Sequence, residues 1–187
     1  MGDLLLERSA LLSECGTFRW RLERATGVAG LVAAILGVNP STADAEKDDA
    51  TIRKDMGFAA RLGWRRIIKG NKFAYRATDV RELRHARDPV GAENDAHLER
   101  IMQDADLVVA AWGPLAKLPP PLRGRWKRVV EIARLAGKPL YCFGTCQDGQ
   151  PRHTLMLAYD TPLVPWEPLS LRGAGIKAAR GLNDGER

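Results

Sequence analysis

The segment "GVNPSTAD" at residues 37–44 places polar side chains directly after an apolar run. Asn39 carries an amide that both donates and accepts hydrogen bonds, so it can orient a water molecule or hold the edge of a nucleobase. The structural alternative is an Asx turn before Pro40. In either case the residue types predict a tight polar turn and not a continued strand.

The hydroxyls and carboxylates that follow this turn favour two kinds of ligand. Ser41 and Thr42 can donate hydrogen bonds to a phosphate, above all if a helix begins nearby. Asp44, together with Asp48 and Asp49, repels a phosphate unless a divalent cation lies between them. A metal-dependent nucleotide enzyme that uses these carboxylates is therefore one hypothesis. The alternative is that Asp48 or Asp49 caps the next helix, which stabilises a helix by about 0.5–2 kcal/mol.

The segment "AYRATD" at residues 74–79 offers a second set of binding groups. Tyr75 can stack on a base, and Arg76 can make a bidentate contact to a phosphate or to a base edge. The alternative is an ion pair between Arg76 and Asp79 that stabilises the loop. The sequence leaves both interpretations open.

His153 is the one histidine that falls in a predicted functional loop. Its imidazole can donate a hydrogen bond to the negative charge that develops on a leaving base. Arg152 precedes it and is a candidate for binding the same ligand. His85 and His97 lie beside charged residues, and we expect them on solvated faces.

The composition bounds the class of protein. The chain has 187 residues, of which 45% are hydrophobic and 28% charged, as in ordinary globular domains. No apolar stretch reaches the roughly 18 residues of a membrane span, so no membrane partner is expected. The net charge of +6 tolerates an anionic partner such as a nucleotide or nucleic acid.

Cysteine usage and missing motifs exclude further classes. The three cysteines form no zinc-like set, and early acidic residues argue against a secretory leader, so we expect a cytoplasmic protein without a bound metal. The sequence contains no Walker loop, no Gly-x-Gly-x-x-Gly motif and no usable Ser-His-Asp arrangement. These absences argue against nucleoside triphosphate hydrolysis, dinucleotide redox chemistry and acyl transfer, and no cofactor is expected.

Alternating apolar and amphipathic segments must position these side chains. Short apolar segments closed by Gly or a polar turn predict strands buried on both faces, and amphipathic segments between them predict helices. The strands are predicted at residues 31–38, 65–74, 106–113 and 138–144, and the helices at residues 50–63, 92–105 and 123–137. The alternation predicts a parallel sheet, in which the strand ends meet at one ligand-binding crevice. Trp112 also ends a predicted strand, and it fits either the core or the wall of that crevice.

The rest of the chain is peripheral in this scheme. We expect one α/β domain over residues 1–166. Residues 15–27 alternate apolar and charged side chains, which predicts an edge strand or a hairpin. Residues 115–124 contain three consecutive prolines and predict an extended loop. Residues 167–187 are rich in Gly and Arg, which predicts a loosely ordered tail.

Several ordered blocks of the sequence resemble the domain of unknown function 1643 family. They are "VNPSTAD", "DDATIRK", "GFAARLGW", "NKFAYRATD", "DPVGAENDAHL", "VVAAWG", "PLYCFG" and "GQPRHTL". The resemblance covers roughly residues 15–166. Two positions depart from the family pattern: Thr154 stands where Pro is usual after the His, and Cys146 stands where Lys is common.

The layout also resembles the uracil-DNA glycosylase superfamily. Some members carry Gly-x-Asn-Pro after the first strand, as residues 37–40 do here, and the third strand commonly ends in Trp-Gly, as residues 112–113 do. Asn71 and His153 stand where that superfamily has an Asn in the second strand and a His after the fourth. The resemblance implies a three-layer α/β/α sandwich with a central four-stranded parallel sheet.

The glycosylase resemblance also implies roles. Asn39 would orient the attacking water, Asn71 and Tyr75 would hold the base, and His153 would stabilise the leaving group. A non-catalytic module that binds a nucleobase, a nucleotide or nucleic acid is the alternative, because residues 37–42 contain no Asp or Glu. The residues predicted to bind substrate are Ser41, Thr42, Asp44, Asn71, Tyr75, Arg76, Trp112 and Arg152.

Overall fold

The computed structural model describes residues 8–168. The predicted tail therefore lies, apart from its first two residues, outside the described residues. The strands are β1 (Arg8–Leu12), β2 (Arg19–Ala25), β3 (Leu31–Gly37), β4 (Trp64–Asn71), β5 (Leu107–Ala110), β6 (Leu140–Cys142) and β7 (Val164–Pro165), and the α-helices are α1 (Ala50–Leu62), α2 (Asn94–Gln103) and α3 (Arg125–Leu135). In this part of the chain no helix has the length and apolar character that a bilayer span requires.

All seven strands of the described chain form one mixed sheet in the order β1-β2-β4-β3-β5-β6-β7. The pairs β4–β3, β3–β5 and β5–β6 are parallel. The pairs β1–β2, β2–β4 and β6–β7 are antiparallel. The α/β class is confirmed, but the sheet is mixed and has seven strands, where a central sheet of four parallel strands was predicted. The sheet is larger because a hairpin extends it beyond β4 and a short strand extends it beyond β6.

Of the two alternatives expected for residues 15–27, the structure shows the hairpin, formed by β1 and β2. Strand β2 lies inside the sheet, between β1 and β4, and is not an edge strand. Its alternating pattern is real, since Trp20 and Leu22 are buried. The turn that joins β1 and β2 includes Gly16, whose φ of 70° suits glycine.

Helix α1 begins and ends as its sequence predicts. The Asp49 carboxylate accepts a hydrogen bond from the Ile52 N–H at 2.9 Å, and Gly63 ends the helix with a φ of 66°. At the start of helix α2, Asn94 does not serve as a side-chain cap. The Asn94 amide instead donates to the carbonyls of Asn71 and Lys72, at 3.1 and 3.0 Å, and ties α2 to the end of β4.

The helices cover both faces of the sheet. Phe58 and Ala59 of α1 pack with Ile35, Ile67 and other side chains on one face. Helices α2 and α3 pack on the opposite face, in a cluster that also contains the buried Trp112. The parallel strands therefore lie between two helical layers, with their carboxyl ends free to line a site.

The proline-rich segment at residues 115–124 is not the extended loop that its composition predicts. It forms two short 3₁₀ helices, Leu115–Lys117 and Pro120–Leu122. Proline fits the first position of a helical turn, because its fixed φ is helical and its missing N–H needs no partner there. The turn brings Lys117 and Leu118 to the site described next.

Candidate functional site

A cavity of about 730 Å³ opens at the carboxyl ends of β3 and β4. The first residues of α1 form one side, and the loops after β5 and β6 form another. A 3₁₀ helix at Val80–His85 and a second at Thr154–Met156 close the rim. The cavity thus lies where parallel sheets of this kind bind ligands.

The sequence-predicted residues divide into two groups. Five line the cavity: Asn39, Ser41, Asn71, Trp112 and His153. The other five are not among its lining residues: Thr42, Asp44, Tyr75, Arg76 and Arg152. The structure therefore brings together both residues expected to act in catalysis and three of those expected to bind substrate, while their roles stay predictions.

Local contacts explain why the second group lies elsewhere. The Asp44 carboxylate accepts from the backbone N–H groups of Glu46 and Lys47, both at 2.9 Å, and so shapes its own turn. Tyr75 packs edge-on against Phe18, with ring centroids 6.1 Å apart. Arg76 donates to the Gly16 carbonyl at 3.1 Å.

Two further expectations about charged groups change. Asp79 pairs with Arg81 at 2.6 Å and not with Arg76. His97 is buried and stacks on Trp20, with ring centroids 5.2 Å apart, so it does not lie on a solvated face.

The amide of Asn39 is held in one orientation. Its Nδ2 donates to the carbonyl of Pro40 at 3.0 Å and to that of Ala77 at 2.7 Å. Both amide hydrogens are thereby used within the protein. The Oδ1 atom has no donor among the described residues, so Asn39 offers the cavity a fixed acceptor and no donor.

His153 offers the opposite polarity. Burial, together with the nearby Lys69 ammonium, lowers its pKa from 6.5 to about 4, so the imidazole is neutral at neutral pH. Its Nδ1 accepts from the Leu155 N–H at 3.2 Å, which places the single ring proton on Nε2. Within residues 8–168 this Nε2–H has no acceptor, and it is free to donate to a ligand.

Asn71 and Trp112 complete the polar wall on the sheet side. Asn71 is 2% exposed, and its Nδ2 has no hydrogen-bond acceptor within the described residues. A buried donor without an acceptor is costly, so a ligand oxygen at this point stabilises the site. The indole N–H of Trp112 is already used, since it donates to Gln150 Oε1 at 2.8 Å.

A buried ionic network behind this wall was not predicted. Lys69 Nζ lies 2.7 Å from Asp55 Oδ2, and the Thr154 hydroxyl donates to Asp55 Oδ1 at 2.6 Å. The network joins β4, α1 and the loop that carries His153. Its signal in the sequence was a Lys within an apolar strand and an Asp on the buried face of a helix.

Gly37 allows this wall to form. A Cβ at Gly37 would lie 2.8 Å from Asn71 Oδ1 and 3.2 Å from Lys69 Cε. Any larger residue would therefore push the Asn71 amide and the Lys69 side chain from their positions.

The three carboxylates considered as metal ligands do not assemble into a metal site. Asp48 pairs with Arg24 at 2.8 Å and with Arg8 at 3.0 Å, while Asp49 caps α1. Across residues 8–168, no group of three or more His, Cys, Asp or Glu side chains is arranged to hold a metal ion. Of the three, only Asp49 lines the cavity.

Comparison with known proteins identifies the family. The model of a family described as "Protein of unknown function (DUF1643)" matches residues 19–155. The chain belongs to the DUF1643 family. The DUF1643 match contains every residue that lines the cavity except Met156. Searches of the curated proteins and of the solved structures found no match to the chain.

Proposed function

We propose that this DUF1643 protein binds a nucleobase, presented by a nucleotide or by nucleic acid, and hydrolyses its N-glycosidic bond. The observation that supports the proposal is one cavity with a fixed acceptor at Asn39 Oδ1 and a neutral donor at His153 Nε2. A cavity of about 730 Å³ also suits such a ligand, because small-molecule sites commonly enclose about 300–1,000 Å³.

The architecture is compatible with the glycosylase resemblance. Within the seven-stranded mixed sheet, the pairs β4–β3, β3–β5 and β5–β6 are parallel, which supports the comparison. Asn39 follows the first of these strands in the chain, Asn71 ends the second, and His153 follows the last. We infer a glycosylase-like arrangement from this order of residues and from their common cavity.

The proposed reaction assigns one task to each polar group. Asn39 Oδ1 accepts a hydrogen bond from a water molecule and directs its oxygen to the sugar carbon that bears the base. As the new carbon–oxygen bond forms, the carbon–nitrogen bond breaks and its electron pair leaves with the base. The Nε2–H of His153 and the Nδ2–H of Asn71 donate to the base oxygen on which charge develops. The base takes a proton from solvent, and the water loses one to solvent.

A neutral His153 suits this task. A donor with a pKa of about 4 stays neutral at neutral pH, so it adds no charge to the cavity and donates without transferring its proton. A protonated imidazole beside the Lys69 ammonium would instead experience repulsion between like charges.

The alternative proposal is a non-catalytic module that recognises the same base. One observation favours it: the group facing the expected water is the Asn39 amide, which cannot take a proton from that water. Recognition would then use the same atoms, and turnover would be absent.

Release of free base decides between catalysis and recognition. The substrates are the common nucleosides, their 5′-monophosphates, and single- and double-stranded oligonucleotides that contain uracil or a mismatch. For an enzyme, His153→Ala should lower turnover by roughly 10²–10³-fold, the usual effect of losing one oriented donor at a developing charge. His85→Ala, which removes an exposed histidine outside the cavity, is the matched control.

The same variants test the binding alternative. If the wild type releases no base but binds one, His153→Ala should weaken affinity by about 1–3 kcal/mol, as loss of a hydrogen bond does. Wild-type protein that neither releases nor binds any nucleobase compound would overturn both proposals.

A further inference from the structure

Arg19 is a buried cation in the cavity wall without a carboxylate partner. It is 2% exposed and lines the cavity. Its Nη1 donates to the Ala43 carbonyl at 2.6 Å, and its Nε has no acceptor. Within residues 8–168, no Asp or Glu forms an ion pair with its guanidinium. Burial of a charge that forms no ion pair is unfavourable, so an anion from outside the chain would stabilise this position.

The charge of Arg19 is present under ordinary conditions. Burial lowers its pKa from 12.5 to about 10, and Arg76 and Arg24 act in the same direction, whereas Asp49 and Asp44 oppose the change. The guanidinium is therefore still protonated at neutral pH. Lys69, the other buried cation of this wall, differs in having Asp55 as its partner.

The beginning of α1 lies beside Arg19 and adds hydrogen-bond donors. Ala50 and Thr51, the first two residues of this 13-residue helix, line the cavity. Their N–H groups have no partner among the described residues, since the first N–H groups of a helix have no intrahelical acceptor. The hydroxyls of Ser41 and Thr51 face the same cavity without a partner in the described chain. A helix N-terminus also carries partial positive charge, which favours an anion.

The acidic groups of this wall are largely engaged. Asp49 caps α1 through the Ile52 N–H, and Asp79 pairs with Arg81 at 2.6 Å. Glu82 is exposed at the rim. Asp49 offsets part of the Arg19 charge, so an anion at this wall would be held by hydrogen bonds as well as by charge.

We propose that Arg19, Ser41 and the first residues of α1 bind the phosphate of a nucleotide unit. This inference rests on the proposed function, because it leaves Asn71 and His153 for the base of the same ligand. A phosphate accepts several hydrogen bonds at once, and it matches a guanidinium beside a helix N-terminus. Its source is either a free nucleotide or one nucleotide of a nucleic-acid strand.

Calorimetric titration of the full chain tests the phosphate site. The probes are a nucleoside, its 5′-monophosphate, and a dinucleoside monophosphate that carries only an internal phosphodiester. The wild type should bind the monophosphate or the dinucleoside monophosphate at least tenfold more tightly than the nucleoside. Tighter binding of the monophosphate than of the dinucleoside monophosphate assigns the site to free nucleotides. Binding of the dinucleoside monophosphate as tightly as the monophosphate assigns the site to a nucleic-acid strand.

Substitutions of Arg19 and Thr51 test whether these residues cause the preference for phosphate compounds. Arg19→Met should abolish the preference for phosphate and leave affinity for the nucleoside unchanged, while Arg19→Lys should retain part of it. Thr51→Val removes one donor with little change of volume and should reduce the preference if Arg19→Met fails to fold. Lys127→Met, an exposed substitution on α3, is the control.

The outcomes separate this inference from the proposed function. Equal affinity of the wild type for nucleoside and phosphate compounds would overturn the phosphate site while base recognition stands. An unchanged preference in folded Arg19→Met, or in Thr51→Val if Arg19→Met does not fold, would also overturn it. Protection from thermal unfolding by inorganic phosphate, dependent on Arg19 or Thr51 and without nucleoside binding, would support the phosphate site and refute the base assignment.

Discussion

Lys72 should make the stability of this protein depend on pH between about 7 and 10.5. Its side chain is fully buried, and its Nζ has no hydrogen-bond partner within the described residues. Burial, together with the Arg125 charge, lowers its pKa from 10.5 to about 7, against a weaker opposing effect of Asp148. The centroid of the Trp112 ring lies 5.3 Å from Nζ, close enough for a cation–π contact.

The sign of this pH dependence follows from how long Lys72 keeps its proton in the unfolded and in the folded state as pH rises. The unfolded chain keeps Lys72 protonated up to about pH 10.5, whereas the folded chain loses this proton above about pH 7. The unfolded state binds more protons in this window, so the free energy of unfolding rises as pH rises through it. The free-energy cost of burying the charged Lys72 side chain is fully present below about pH 7. For a pKa change of this size the cost is on the order of 5 kcal/mol.

Replacement of Lys72 by Met removes the charge and keeps a side chain of similar length. Lys72→Met should therefore stabilise the protein by several kcal/mol at pH 7, and the difference from wild type should shrink towards pH 10. Urea unfolding of both proteins at pH 7, 8.5 and 10 measures it, with Lys127→Met as an exposed control. A difference that is the same at every pH would refute the assignment of a buried, largely neutral amine at this position.

Three further outcomes follow from the described contacts. Asp55→Leu leaves the Lys69 ammonium buried and unpaired, and should destabilise the fold by about 3–5 kcal/mol in denaturant unfolding; the double variant with Lys69→Met should recover most of this loss. Gly37→Ala places a methyl group 2.8 Å from Asn71 Oδ1, so it should lower the free energy of unfolding by about 1–3 kcal/mol and weaken nucleobase binding. Unchanged binding and stability would show that the neighbouring side chains move aside without loss. Hydrogen bonds with the Ser13 and Thr17 hydroxyls lower the pKa of the exposed Cys15 to about 7. Iodoacetamide should therefore alkylate Cys15 before the other cysteines, at a rate that rises with pH around a midpoint near pH 7, and peptide mapping measures this.

Sequence patterns predicted the parallel strands and the cavity residues that directly follow them. Asn39 and His153 were found because the turn residues that end a buried strand also mark the carboxyl edge of the sheet. Tyr75 and Arg76 are not among the cavity-lining residues, because β4 ends at Asn71, earlier than its apolar run predicts. Beyond that point the backbone pairs with the turn before β2, as Arg76 N–H donates to the Thr17 carbonyl at 2.9 Å.

The residues that sequence reasoning missed depend on contacts between distant segments. Asp55 lies in the middle of α1 and Lys69 near the end of β4, and nothing local indicates that they meet. Arg19 enters the cavity from strand β2, and the hairpin predicted at residues 15–27 gave no indication that it borders the cavity. Tertiary pairing of this kind does not follow from periodicity, which reports only which face of an element is buried.

The short strand β7 covers the edge of β6 in the sheet. A parallel strand such as β6, left at an edge, would present unpaired N–H and C=O groups to any extended segment and could seed aggregation. Among the described strands, β7 is the last on this side, and it consists of Val164 and Pro165. Proline lacks an N–H and two residues offer a very short ladder, so the edge is a poor template for another strand. Deletion of this short cover should therefore lower the concentration at which the protein stays monodisperse, even if the cavity keeps its ligand.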